Sequence, residues 1–346
     1  MRRMGFAIIG AGNIAKVHAR AIQEIPDAQV VVVCNRHEEK GRALAALYGA
    51  AWASDYREAV TRPDVDIVCI CTPSATHADI AVAAAQAGKH LIVEKPIDVT
   101  LERADRIIQA ARAAGVKMTG IFPLRFTAGA RQAREAIAQG RLGRLTLTGA
   151  YVKWYRPQSY YEGTWRGTWA GDGGGALMNQ AIHNVDLLQW LAGPVETVFG
   201  RTATLAHRME TEDTASAVLV FRDGALGVIQ GATSCWPGDP ARVELHGEKG
   251  TIILEEGCIV RWKLADAAPD EEARMLALQD GQGSGSSDPM GIGHELHRRQ
   301  IADMIQAIRE DRPPAIAGEE ARKALEIILA IYRSAQTGAA VRLPLT

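Results

Sequence analysis

The sequence predicts an α/β protein with two parts. The first is a doubly wound parallel sheet, and the second is a C-terminal α+β domain with a large, mostly antiparallel open sheet. Three observations lead there. Short apolar runs alternate with helical patterns over the first 121 residues, the pattern changes after Phe122, and length sets the scale. At roughly 150 residues per domain, 346 residues make two. The expected boundaries are 1–122 and 123–346.

In the first part, Met4 to Ile9 is an apolar run and Asn13 to Gln23 has helix composition. Val30 to Cys34 is β-branched, and Glu38 to Tyr48 is rich in Ala, Leu and charge. Asp66 to Cys71 is apolar and Thr76 to Ala87 helical. His90 to Val93 and Leu101 to Ala113 repeat the alternation, and Val116 to Ile121 closes it. Strand–helix alternation of this kind implies βαβ units and a sheet buried on both faces. Right-handed crossovers then wind helices onto both sides.

In the second part, Leu145 to Lys153, Val195 to Ala203 and Ala215 to Phe221 read as strands. Arg222-Asp223-Gly224 is a hairpin signal, with Ala225 to Thr233 as the return strand. Val243 to His246 and Thr251 to Leu254 continue the sheet, and a helix from about Ala176 to Leu191 is inserted in it. Residues 281–291 form a Gly/Ser-biased loop. Helices over His294 to Arg309 and Glu319 to Ser334 flank Pro313-Pro314.

Composition excludes several classes. Lys and Arg total 39 against 40 Asp and Glu, a net charge of −1, which leaves no electrostatic footprint for nucleic acid or an anionic membrane. No apolar run reaches the roughly 20 residues of a membrane span. The five scattered cysteines (Cys34, Cys69, Cys71, Cys235, Cys258) make neither a disulfide framework nor a metal site, so no metal is expected. They read as reduced core residues of a cytoplasmic protein.

Gly10-Ala11-Gly12-Asn13-Ile14-Ala15 directly follows the first strand and opens the first helix. It fits G-x-G-x-x-G/A with Ala in third place. Gly10 permits the tight turn, Gly12 admits a pyrophosphate to the backbone, and Ala15 lets helix and strand pack. The amides around Gly12, Asn13 and Ile14, with the positive end of the helix dipole, would receive the anion. This predicts a dinucleotide-binding Rossmann domain. The second strand ends at Cys34-Asn35-Arg36. No acid stands there to hold a ribose 2′-hydroxyl, and Arg36 suits a 2′-phosphate, so the cofactor is read as NADP or NAD with a lean to NADP. Glu38 and Glu39, and direct ribose binding by Asn35, keep NAD open.

Three further segments sit where such a sheet binds ligands. Thr72-Pro73-Ser74-Ala75-Thr76-His77 follows the strand ending at Cys71, and Glu94-Lys95-Pro96 follows the strand ending at Val93. Gly173-Gly174-Gly175 leads into the helix with Asn179, His183 and Asp186, whose steps of four and three put them on one face. Half of all Trp and Tyr lie between Tyr151 and Trp169. Their flat faces suit sugar C–H faces, though packed loops and subunit interfaces use the same residues. Tyr151, Lys153 and Trp154 could face a substrate. Arg156 and Lys153 are candidates for a substrate carboxylate or phosphate.

Together the Gly-rich turn, T-P-x-x-x-H, E-K-P, the W-R of Trp165-Arg166 before G-G-G, and H-x-x-D resemble the Gfo/Idh/MocA family of NAD(P)-dependent sugar and cyclitol oxidoreductases. The resemblance implies that Lys95 lies near the nicotinamide and the reacting hydroxyl, and that His183 transfers the proton. It also implies cofactor contacts at Thr72, Pro73, His77, Glu94 and Trp165-Arg166. Inositol-dehydrogenase-like members place an Asp four residues before the His. Here Asn179 stands there, which looks more like the nucleotide-sugar and sugar-acid branch.

The chemistry agrees. Alcohol oxidation needs a base titrating near neutrality, and His does. A fixed Lys⁺ stabilises developing alkoxide charge. The expected function is hydride transfer between NAD(P) and a secondary alcohol or ketone of a sugar, sugar acid, nucleotide sugar or cyclitol. Substrate contacts are expected from Lys95, Tyr151, Lys153, Arg156, Asn179 and His183. Other readings of the same residues are a satisfied core His183 or one that partners Asp186 on the helix, and a hydrogen-bonding His77 at a helix start. At the level of function the alternatives are a non-catalytic dinucleotide sensor or an NAD-cycling glycoside-cleaving enzyme. Exposed apolar sheet surface points to a homodimer or homotetramer.

Overall fold

The computed structural model describes residues 2–278 and 293–345. The loop expected at 281–291 lies outside them. The chain divides into two compact units. One comprises Met1–Phe122 and Gly293–Arg322, the other Pro123–Ile292 and Lys323–Thr346.

In the first unit the elements alternate as β1 (Met4–Ile9), α1 (Asn13–Gln23), β2 (Ala28–Cys34), α2 (Glu38–Leu47), β3 (Ala51–Ala53), α3 (Tyr56–Thr61), β4 (Ile67–Ile70), α4 (His77–Gln86), β5 (His90–Val93), α5 (Leu101–Ala113) and β6 (Met118–Gly120). All pairs are parallel, in the order β3-β2-β1-β4-β5-β6. The central strands are buried on both faces, which is why they read as unbroken apolar runs. Strand order reverses between β1 and β4, and the carboxyl ends of those two strands are where such a sheet binds ligands. Thr100 caps α5 by accepting from the Arg103 amide, and Asp55 caps α3 from Arg57. By contrast, α1 begins at Gly12 with no side-chain cap and no acid in its first turn.

The second unit holds α6 (Ala128–Ala138), β7 (Leu145–Lys153), a π-helix (Leu177–Ala181), α7 (Ile182–Ala192), β8 (Val195–Ala203), β9 (Thr214–Phe221), β10 (Leu226–Ala232), β11 (Arg242–Gly247), β12 (Gly250–Glu255), β13 (Cys258–Leu264) and α8 (Glu271–Leu276). Later in the chain come α9 (Glu295–Arg309), which belongs to the first unit, then α10 (Gly318–Thr337) and β14 (Val341–Arg342). The eight-stranded sheet runs β13-β12-β11-β7-β10-β9-β8-β14. Every pair is antiparallel except β7–β10. The chain between β7 and β10 contains α7, β8 and β9, long enough for the crossover that a parallel pair needs.

Helix α9 departs from the sequence reading, which leaves it in the second domain. Ile301, Met304 and Ile305 are buried in one cluster with Ala15, Ala19 and Ile22 of α1. The amide of Gln300 donates to Thr119 Oγ1 (3.1 Å) and to the Gly120 carbonyl (2.7 Å), and its oxygen accepts from the Phe122 amide (3.1 Å). An apolar stripe at helical spacing shows that α9 packs, but not against what.

Candidate active site

Gly10 ends β1 at φ +113°, and an added Cβ would lie 2.5 Å from the Cys71 carbonyl oxygen. Both backbone and neighbour therefore exclude a side chain there. At Gly12 the situation is reversed, for an added Cβ would meet nothing within 4 Å. The fold itself does not need glycine at Gly12, but a phosphate approaching the start of α1 does. The residues present thus fit a dinucleotide pyrophosphate.

At the end of β2, the Asn35 amide donates to the His37 carbonyl at 3.0 Å. Arg36 is exposed and makes no hydrogen bond or ion pair among the described residues. Glu38 is engaged by Arg42 at 2.7 Å, and that guanidinium also stacks over Trp52 at 4.4 Å.

The T-P and E-K-P loops are tied together by His77. Its ring nitrogens lie 3.0 Å from the carbonyl oxygens of Thr72 and Pro96, and the ring is buried. Thr72 also accepts from the Thr76 hydroxyl at 2.7 Å. Both ring nitrogens of His77 are thus engaged by the protein at the start of α4. Lys95 is half-buried, and its amide donates to Glu94 Oε2 at 3.1 Å.

Glu94 in turn belongs to a buried cluster that the sequence reading missed. His18 Nε2 of α1 lies 2.7 Å from Glu94 Oε1, and His297 Nε2 of α9 lies 3.9 Å from the same oxygen. The two imidazoles meet edge to face, with centroids 5.4 Å apart. Burial opposes the charge on Glu94, yet the His18 hydrogen bond and the neighbouring charges of His18, His297 and Lys95 outweigh it and hold the carboxyl at about 2. Burial, aided by His18, pushes His297 down to about 4. Glu94 thus faces inward and anchors the loop that presents Lys95.

In the second unit, strand alternation decides where the aromatic segment points. Thr148, Ala150 and Val152 of β7 are buried, whereas Lys153 is exposed and Tyr151 half-buried. Tyr151 and Lys153 line an open-face cleft of about 400 Å³ with Asp239, Pro240, Arg242, Glu244 and Glu255. They lie on the other face from the buried residues of β7, so the structure does not bring them together with Asn179 and His183.

It does link Arg156 and Arg166 to Asn179, by way of Tyr160 and Gln180. The Arg156 guanidinium is buried, over Trp154 at 5.1 Å and Tyr160 at 5.7 Å. Arg166 stacks over Tyr160 at 4.6 Å and over Trp165 at 5.5 Å. Gln180 links this group to the helix by donating to the Tyr160 hydroxyl and to Asn179 Oδ1, both at 3.4 Å. Asn179 donates to Asp172 Oδ1 at 2.9 Å and Oδ2 at 3.2 Å, and Asp172 Oδ2 also accepts from the Gly167 amide at 3.1 Å. His207 holds the strand end, with its ring 3.0 Å from Asp213 and 2.7 Å from the Arg156 carbonyl.

The helix differs from the plain α-helix expected. Leu177–Ala181 is a π turn, so Asn179 and His183 are separated by a widened i→i+5 turn and do not simply share an α-helical face. Such single π turns recur at functional sites. His183 is half-buried one residue into α7. Asp186 turns to Arg125, which donates to both its oxygens at 2.7 and 2.6 Å inside the protein. The three cysteines of the first unit, Cys34, Cys69 and Cys71, are buried free thiols, and burial pushes Cys34 up to about 12. None is a ready nucleophile.

Two family models match the chain. An oxidoreductase family with an NAD-binding Rossmann fold covers residues 4–121, and a GFO/IDH/MocA C-terminal domain covers residues 130–253. The WlbA dehydrogenase of Bordetella pertussis, solved with NADH and UDP-GlcNAcA, is 36% identical with a TM-score of 0.88, each chain covered over 100%. The chain belongs to the Gfo/Idh/MocA family. The WlbA dehydrogenase of Chromobacterium violaceum, solved with the same two ligands, is 32% identical at TM-score 0.89, over 100% of this chain and 97% of that one. The Myo-inositol 2-dehydrogenase of Thermotoga maritima is 28% identical, with 98% of each chain covered. As a Gfo/Idh/MocA protein the chain is an NAD-dependent oxidoreductase acting on CH–OH groups, which sets aside the non-catalytic sensor. Among the described residues no helix is long and apolar enough to cross a membrane.

Proposed function

We propose that the chain moves a hydride between NAD(P) and a secondary alcohol or ketone of a sugar acid or nucleotide sugar, with Lys95 and His183 acting on the reacting hydroxyl. The observation that carries this reading is the contrast at the cradle, where Gly10 is required by the fold and Gly12 is required only by a guest. The bound dinucleotide supplies the hydride-accepting ring. The chain's own residues do the rest. Gly12, Asn13 and Ile14 present the start of α1 to the pyrophosphate. Lys95, on a loop anchored through Glu94 and His77, stabilises alkoxide charge, and His183 takes the proton at its imidazole.

Several observations favour an acidic or nucleotide-linked sugar over a cyclitol. Asn179 stands where inositol-type members carry an Asp. Arg156 and Arg166 bracket Tyr160 next to Asn179. The WlbA relatives were solved with UDP-GlcNAcA. For the cofactor, those relatives hold NADH, which favours NAD(H). The exposed Arg36 would meet a 2′-phosphate, so NADP(H) is the second dinucleotide to assay.

The open face of the eight-stranded sheet supports a homo-oligomer. Leu147 and Leu226 are neighbours across β7–β10, and Phe199 and Val218 across β8–β9, with exposures of 52, 50, 42 and 50%. Sedimentation of a monomer at micromolar concentration would overturn that association.

The deciding assay offers free sugars, sugar acids, cyclitols and nucleotide sugars with NAD⁺ and with NADP⁺, following absorbance of the reduced ring. Lys95→Ala is expected to lower kcat by about 10³ or more while dinucleotide still binds. Equal turnover in that variant, or no turnover of any class by the native chain, overturns the reading.

A further inference from the structure

We propose that Glu212 and Tyr332 form a clamp that sets the start of the Asn179–His183 helix, which makes Glu212 a positioning residue for the reaction. This rests on the role just proposed for His183.

Three consecutive amides at the helix start converge on this one residue. Gly175 donates to Glu212 Oε2 at 3.0 Å, Ala176 to the Glu212 backbone carbonyl at 3.0 Å, and Leu177 to Glu212 Oε1 at 2.9 Å. The Tyr332 hydroxyl of α10 donates to the same Oε1 at 2.9 Å. Helices are ordinarily capped by a Ser, Thr, Asp or Asn immediately before them. Here that residue type is absent, and the cap is delivered from the loop before β9, 35 residues beyond Leu177.

The glycines that precede the helix are shaped by this clamp. An added Cβ on Gly174 would lie 2.2 Å from the Tyr332 hydroxyl, and one on Gly175 would lie 1.8 Å from the Glu212 carbonyl oxygen. Gly173 sits at φ +74°. The G-G-G run is therefore the imprint of Glu212 and Tyr332 on the backbone. It brings that backbone close enough for three amides to reach one partner.

The π turn Leu177–Ala181 begins at the clamp, and His183 lies just beyond its end. The first amides of a helix have no acceptor within it, so the external acceptor that meets them fixes where and at what angle the helix starts. The clamp fixes the angular position from which the imidazole projects.

Its hydrogen bonding also depends on charge. Glu212 is buried and makes no ion pair among the described residues. Burial pushes its carboxyl up to about 7, against the pull of the Leu177 and Gly175 amides and the Tyr332 hydroxyl. The titratable group facing it is Tyr332, which burial and Glu212 itself push up, with Asp172 adding to that push. On its own segment, Asp213 turns away to the amides of Leu205, Ala206 and His207. Protonation of Glu212 converts one acceptor oxygen into a hydroxyl, and three donors can no longer all be met in this geometry.

The test compares the native full-length chain with Glu212→Gln and Tyr332→Phe. It uses two readouts, steady-state kinetics against pH and hydrogen exchange of the peptide covering residues 174–185. Glu212→Gln is expected to lower kcat about tenfold or more with KM for dinucleotide within about twofold. It should also flatten the kcat–pH profile around neutrality and speed exchange of the Gly175 and Leu177 amides about tenfold. Tyr332→Phe should shift both readouts the same way by less. Native kcat, pH profile and exchange in Glu212→Gln would overturn the clamp. If Glu212→Gln does not fold, unchanged exchange in Tyr332→Phe overturns it instead. Exchange needs no turnover. A native chain inactive on every substrate therefore counts against the proposed reaction, while the amides still decide the clamp.

Discussion

The two regions proposed to serve the reaction are built by opposite strategies. At the nucleotide end, the turn, the helix start and the glycine spacing all come from six consecutive residues, Gly10 to Ala15. At the imidazole end, Asn179 and His183 lie close in sequence, but their supports are distant. The amides are held by Glu212, which Tyr332 holds in turn, Asn179 by Asp172, and Asp186 by Arg125. A site made from local sequence can be recognised as a string. One made from long-range partners leaves only an imprint, here a run of glycines.

The contrast can be broken most directly at the two cradle glycines. Gly10→Ala places a Cβ at φ +113° against the Cys71 carbonyl and should destabilise the first unit by about 2–4 kcal/mol, read from a denaturant midpoint. Gly12→Ala should leave that midpoint within about 0.5 kcal/mol while weakening dinucleotide binding about tenfold or more, read by fluorescence titration. Equal stability losses in the two variants would show that Gly12 serves the fold and not a guest.

Acid sharpens the comparison next. His297 falls to about 4 in the folded state from an ordinary value near 6.5. The unfolded chain then binds more protons in that window, so stability is lost as pH drops from about 6.5 toward 4. The loss from this group is on the order of 3 kcal/mol. Glu94, held at about 2, adds its own loss below about 4.5. Glu212 runs the other way. Raised to about 7, it favours the fold most below about 4.5 and progressively less as pH rises through 7. Denaturation of His297→Gln at pH of about 7 and about 5 should show a smaller acid loss than the native chain. An unchanged loss would mean that the His18–Glu94–His297 cluster does not govern acid stability.

The smallest effect concerns Arg36. Arg36→Ala should reduce kcat/KM with NADP⁺ about five- to tenfold and leave NAD⁺ within about twofold. Equal changes with both would remove the side chain from cofactor choice.

Much of the fold was legible because periodicity was strong. His90–Val93, Leu101–Ala113, Leu145–Lys153 and Val195–Ala203 fall where apolar runs and helical stripes put them. What stayed hidden was short or partner-dependent. The three residues of β3, the two of β14 and the short α3 and α8 carry too few positions for a period to show. Strand β13 alternates, but its outward Arg261 and Lys263 make it read as polar. The orientation of Tyr151 and Lys153 was open because composition does not say which face of β7 a helix covers. Of the proposed site, the Gly-rich turn could be picked out from residue type and place, whereas the roles of Lys95 and His183 come from the family resemblance and stand as proposals. His18, His297, Glu212 and Tyr332 could not be picked out, since nothing in a sequence says which buried polar groups will meet.

The helix bearing His183 is secured on both sides of that residue, by a carboxyl and a phenol where it starts and by the buried Arg125–Asp186 pair one turn further on. A beam so bolted has little freedom to slide or roll. Any adjustment of the imidazole's reach therefore falls to two side-chain torsions, on the fast scale of rotamer exchange rather than the slower one of helix travel.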